Sequence, residues 1–279
     1  MSPLPDRRLR RGFPIVVVLV AVKKAHSLIT SGRRSCTAGM NSKIVKKPIG
    51  AGLQAKNWAG GLSGDFGNER FSRLSPLRRI PILRDDDVTL ADSSVICQYL
   101  EDRHPLPRLY PEDIVARAEA RWFEEYADTR MGEVLIWGLF NQLAIGPAVW
   151  GRPPDRAIVD RIREVDLPLV LDYLEERLPA SGFVLGELSI ADISIACFFR
   201  NAQFVRYEVD AVRWPRTAGF VDRMLALEPF AALRKIEDPL LRVAPAAQRA
   251  CLESLEEVGV ALTADSFGTS SPRPGVMRI

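Results

Sequence analysis

Ile80-Pro81-Ile82-Leu83, Asp85-Asp86-Asp87, Val88-Thr89-Leu90 and then Ala91-Asp92-Ser93-Ser94-Val95-Ile96-Cys97-Gln98-Tyr99-Leu100 form the stretch that decides the fold. The first four residues read as a short apolar strand, the aspartates as a turn and Val88–Leu90 as a second strand, which makes a hairpin. Val95, Ile96, Tyr99 and Leu100 fall on one helical face. The polar triplet Asp92-Ser93-Ser94 ahead of them supplies the side chains that cap a helix start. Pro105 and Pro107 stop that helix, so residues 104–111 read as a Pro-rich linker.

Beyond the linker everything reads as helix. Ala118, Trp122 and Tyr126, then Met131, Leu135 and Leu139, recur as a stripe that predicts one long helix from about Glu112 to about Ala144. Gly146-Pro147 and Gly151-Arg152-Pro153-Pro154 break it. A second helix is expected from about Asp155 to about Leu178, carrying Ile158, Ile162, Val165, Leu169 and Leu174, with a kink at Pro168. Ser189-Ile190-Ala191-Asp192 is the clearest start signal, a Ser at the N-cap with an acid three residues on. Leu188 and Ile193 are placed to staple that turn. Shorter helices follow from Trp214 and from Pro229, and residues 243–279 read as a tail.

Upstream the text is less regular. Residues 1–26 form a basic leader, and up to Gly50 the Lys and Arg residues face a single acid, Asp6. With a net charge of only +3, the rest of the chain is therefore acidic. The body has no basic stripe interleaved with aromatics, which argues against nucleic acid as a partner. The apolar run Pro14–Val22 is too short to span a bilayer and ends in Lys23-Lys24 without a cleavage site, so neither an integral membrane segment nor export is expected. Cys36, Cys97, Cys197 and Cys251 form no CxxC pair, and His26 and His104 are the only histidines. That pattern offers neither a zinc site nor a disulfide framework, and it fits a reducing compartment. A chain of 279 residues has room for two domains.

Two stretches carry a family likeness. Arg79–Leu83 with Leu90–Leu100 resembles the glutathione-binding half-motif of glutathione S-transferases of bacterial type. Phe183-Val184-Leu185-Gly186-Glu187-Leu188-Ser189-Ile190-Ala191-Asp192 resembles the capping motif of the same family's helical domain. The similarity runs from about Gly67 to about Arg242. It implies an α/β thioredoxin-like N-terminal domain over residues 27–103 and an all-α C-terminal domain over residues 112–242.

The resemblance also implies roles. Pro81 matches the family's cis-proline, which turns the backbone of Ile82 toward the cysteinyl part of glutathione. A helix start favours anions, so its N–H groups and the Ser93 hydroxyl would hold the γ-glutamyl carboxylate, and Asp92 the ammonium. Ser189 and Asp192 are read as structural. The plainer alternatives are an ordinary edge-strand proline at Pro81 and a simple helix cap at Asp92-Ser93. Trp122, Phe123, Trp137, Phe140 and Trp150 would line a co-substrate pocket or pack the core.

The family's thiol-activating residue lies just after the first strand, and here the motif fails. Counting back from Pro81 places that strand near Ser27–Thr30 and the site loop at Ser31–Cys36. Ser31, Ser35 and Cys36 are the catalytic candidates, with Arg33 and Arg34 supplying positive charge. The first half of the domain is thus either intact but divergent, or short of its first two strands. The expected function is conjugation of the glutathione thiolate to small electrophiles by a cytoplasmic, detoxifying homodimer that uses glutathione as co-substrate and no metal. The alternative is a catalytically defective binding or dimerisation protein of the same fold.

Overall fold

The structure, a computed structural model, describes residues 53–56, 69–76, 82–85, 87–103, 105, 107–147, 151–243, 247, 250–251 and 254. The chain divides into two compact units, Met1–Pro107 with Ala232–Ile279, and Arg108–Ala231.

Among the described residues the stretch of the first unit up to Pro107 holds three strands and two helices: β1 (Leu53–Lys56), α1 (Glu69–Leu74), β2 (Ile82–Asp85), β3 (Val88–Leu90) and α2 (Ser93–Arg103). The sheet order is β1-β2-β3, antiparallel throughout. Asp85 pairs with Val88 and Leu83 with Leu90, which is the expected hairpin. On its other side β2 pairs with β1, Ile82 opposite Lys56 and Asp85 opposite Leu53. Leu53-Gln54-Ala55-Lys56 alternates apolar and polar residues, as a strand does, but it is short and follows Gly50-Ala51-Gly52, so it does not stand out. The strand expected at Ser27–Thr30 lies outside the described residues.

Leu83, Ile96 and Leu100 form the buried core of this unit, with Leu90 and Tyr99 packed against them. Ile96 and Leu100 are four residues apart and so lie on one face of α2. Each such side chain contributes about 1.5–3 kcal/mol when fully buried. Cys97, on the same helix, is buried as well.

The second unit is helical. Asp113 caps α3 (Ile114–Tyr126), accepting the Ala116 N–H at 2.8 Å. The rod continues from Ala127 to Ile145 in wider turns, ending where the Gly146 N–H reaches the Asn141 carbonyl five residues back. Asp155 caps α4 (Arg156–Arg161), which passes through a wide-turn segment, Ile162–Asp166, into α5 (Leu167–Arg177). Pro168 lacks an N–H and cannot complete the regular ladder, and the wide turn immediately precedes it. The two rods cross closely: a Cβ on Gly138 would sit 2.8 Å from Ile162 Cδ1.

Helix α6 (Ile190–Gln203) is buried on every side from Ile190 to Ala202, the mark of a core helix. It ends with the Tyr207 N–H on the Ala202 carbonyl and the Arg206 N–H on the Gln203 carbonyl. Arg206 has φ 58, in the left-handed conformation that this type of helix stop requires. Helix α7 (Pro215–Ala226) follows, and α8 (Glu228–Leu241) has its first residues in this unit and the rest, from Ala232, in the first.

Burial departs from the expected stripes. Phe123, Met131, Leu135, Leu139 and Phe140 are core, but Trp122 is 52% exposed. On the second rod Ile162 and Leu174 are buried, whereas Val165 and Leu169 are 52% and 59% exposed. Trp122 lies on a regular helix whose buried face runs through Ala120 and Phe123, whereas on the second rod the wide turn Ile162–Asp166 shifts the angular register, so a stripe counted at 3.6 residues per turn drifts off the core. Among the described residues no helix is long and apolar enough to cross a membrane.

Candidate glutathione site

The site expected from sequence centres on the start of α2. Asp92 accepts the Ser94 and Val95 N–H groups at 3.0 and 3.1 Å, both on Oδ1, and its carbonyl takes the Ile96 N–H at 3.0 Å. Asp92 is therefore the N-cap, and two of the amides expected to receive a ligand carboxylate are satisfied within the chain. What stays open among the described residues is narrower: Asp92 Oδ2, and the N–H and hydroxyl of Ser93. Ser93 is buried and Asp92 half-buried. One carboxylate oxygen thus organises the helix start while the other can face a cation, beside a donor pair suited to an anion.

Ile82 runs in β2, its backbone opposite Lys56. Pro81, Ser31, Ser35 and Cys36 lie outside the described residues, as does Trp150. Among the described residues no cluster of His, Cys, Asp and Glu could hold a metal ion.

In the helical unit Ser189 and Asp192 form a reciprocal capping box at the start of α6. Asp192 Oδ2 accepts from the Ser189 N–H and hydroxyl, each at 2.9 Å, and Oδ1 accepts the Val184 N–H at 2.7 Å. Asp192 is fully buried. Burial pushes its carboxyl above the usual range, against the pull of these hydrogen bonds. All of its oxygens serve the backbone, which makes it an anchor rather than a reactive acid.

The aromatics divide. Phe123 and Phe140 are core. Trp122 Nε1 donates to the Tyr173 hydroxyl at 2.6 Å, and the Tyr126 and Tyr173 rings lie 4.4 Å apart. Burial and the neighbouring Tyr173 push the Tyr126 phenol up to about 12, against the pull of Arg130. At neutral pH it is a neutral donor.

Glu175 was not singled out from sequence. Its carboxylate caps α7 from another helix, accepting the Arg216 N–H at 2.8 Å and the Thr217 N–H and hydroxyl at 2.9 and 2.8 Å. The available signal was the poor start at Trp214-Pro215, where no side chain in the segment itself caps the helix.

A strand hairpin leading into a capped helix, followed by an all-helical unit with its own buried capping box, defines a two-part architecture of thioredoxin-like and helical domains. Both parts have counterparts among known proteins. The model of the glutathione S-transferase N-terminal domain matches residues 62–108, and that of the glutathione S-transferase C-terminal domain matches residues 158–223. Rat maleylacetoacetate isomerase is 26% identical over 174 residues, 62% of this chain and 75% of the rat protein. Human glutathione S-transferase theta-1 is 28% identical over 136 residues, 47% of this chain and 55% of the human one. In fold, the solved apo form of human glutathione S-transferase T1-1 superposes with a TM-score of 0.64 at 17% identity, covering 88% of this chain and 96% of that one. Both parts of the chain are thus similar to glutathione S-transferases.

Proposed function

We propose that this chain is a glutathione-dependent transferase that carries the glutathione thiolate to a small electrophile. The observation that carries the reading is the start of α2, where Asp92 closes the helix with Oδ1 alone. Its second oxygen suits the ammonium of the γ-glutamyl group, and the Ser93 N–H and hydroxyl suit the carboxylate. A free thiol has a pKa of about 8.5, so a donor at the sulfur that lowers it raises the nucleophile fraction at neutral pH. Ser31, Ser35 and Cys36 remain the proposed donors, and Pro81 the proposed cis-proline presenting Ile82. Among the relatives matched are a maleylacetoacetate isomerase and a glutathione S-transferase theta-1, and the second name supports a glutathione-dependent transfer. A cytoplasmic, detoxifying role is the corresponding cellular proposal.

One observation favours a second reading, a catalytically defective binding protein. The segment expected to carry the thiol-activating residue, Ser31–Cys36, has no motif of the kind that the resemblance leads one to expect.

A homodimer is proposed for either reading. The two rods of the helical unit expose Trp122, Val165 and Leu169. Between the rods lie both signs of charge, Arg130 on Asp166 at 3.0 Å and Arg161 on the same carboxylate at 3.5 Å. Apolar surface with mixed charge suits pairing with a second copy about a two-fold axis.

Calorimetric titration of glutathione into the wild type and Ser93→Ala tests the site, and an unchanged affinity would remove it. Turnover of an aryl halide or a hydroperoxide in the presence of glutathione excludes the defective reading, and its absence supports that reading.

A further inference from the structure

We draw no further inference here: the strongest candidate, the buried polar side chains of Ser194 and Asn201 on the core helix α6, whose Oγ, Oδ1 and Nδ2 atoms meet no partner among the described residues, carries nothing because the structure shows no ligand chemistry that they would serve.

Discussion

Glu175 holds Thr217 through two hydrogen bonds on one oxygen, Oε2 to the backbone N–H at 2.9 Å and to the side-chain hydroxyl at 2.8 Å. Burial raises the Glu175 carboxyl, but these bonds, the Arg216 N–H and the Arg216 charge more than reverse it, so it sits below the usual carboxylate range. The native state therefore keeps this group ionised at a pH where the unfolded chain has begun to bind a proton. Its stabilisation is present above the ordinary carboxylate pKa and is lost as pH falls through the native value. Glu175→Ala removes the cap of α7 and costs about 1–2 kcal/mol at neutral pH. Urea melts from pH 7 down to pH 3 check this: the gap between wild type and variant narrows on acidification. A gap of constant size would refute the capping role.

Asp192 has the opposite sign. Its carboxyl is raised, so in the window above the unfolded value the native state holds the proton more tightly, and ionisation erodes stability as pH rises through the native pKa. Asp192→Asn keeps one acceptor but loses the second, which faces the Ser189 N–H and hydroxyl. The expected loss is about 1–3 kcal/mol, largest at acid pH and smaller above the native pKa. Paired denaturation curves across that range measure it; a deficit that grows with pH contradicts the assignment.

Arg206 occupies the left-handed position that closes α6. A side chain there is strained, and glycine is the usual occupant. Arg206→Gly should raise stability by about 0.5–1 kcal/mol despite the extra freedom glycine brings to the unfolded chain. Thermal unfolding decides: a lower midpoint would mean that the arginine side chain contributes more than the backbone strain costs.

The second-copy proposal makes a sharp demand on Val165 and Leu169. Exposed apolar side chains on a monomer tolerate charge, whereas those at a subunit interface do not. Sedimentation should find the wild type dimeric and Val165→Glu/Leu169→Glu monomeric, with the helical signal of the rods retained. A wild type that sediments as a monomer, or a variant that stays dimeric, removes this face from the account.

The readable parts of the chain were those governed by local chemistry. Ser189 to Asp192 spells out a helix start in four residues, and the Asp92 triplet and the Pro-rich stop bracket α2 in the same way. The antiparallel pairing of Leu83 with Leu90 follows from two apolar runs separated by a tight acidic turn. Elements that depend on distant partners were less legible. Leu53–Lys56 is a strand because β2 lies beside it, and four residues carry too little pattern to say so. Glu175 caps a helix that begins some forty residues later, which no local spacing encodes. Trp122 matched a helical stripe and still came out exposed, because the buried face of its regular helix runs through Ala120 and Phe123 instead; Val165 and Leu169 lie in and just after the wide turn Ile162–Asp166, which changes the period on which their stripe was counted. At the candidate site, the residue types pointed to a helix start that could receive an anion. Only the geometry shows that Asp92 Oδ1 is spent on the Ser94 and Val95 N–H groups, which narrows the proposed ligand contacts to Asp92 Oδ2 and Ser93.

Calorimetric titration with glutathione, run on the wild type and on Ser93→Ala after both are shown to melt alike, addresses the central assignment most directly. Loss of a charge-assisted hydrogen bond predicts an affinity about tenfold weaker or worse, since about 1.4 kcal/mol is a factor of ten. Equal affinities in two equally folded proteins would place glutathione elsewhere or nowhere, and leave Asp92 and Ser93 as a helix cap alone.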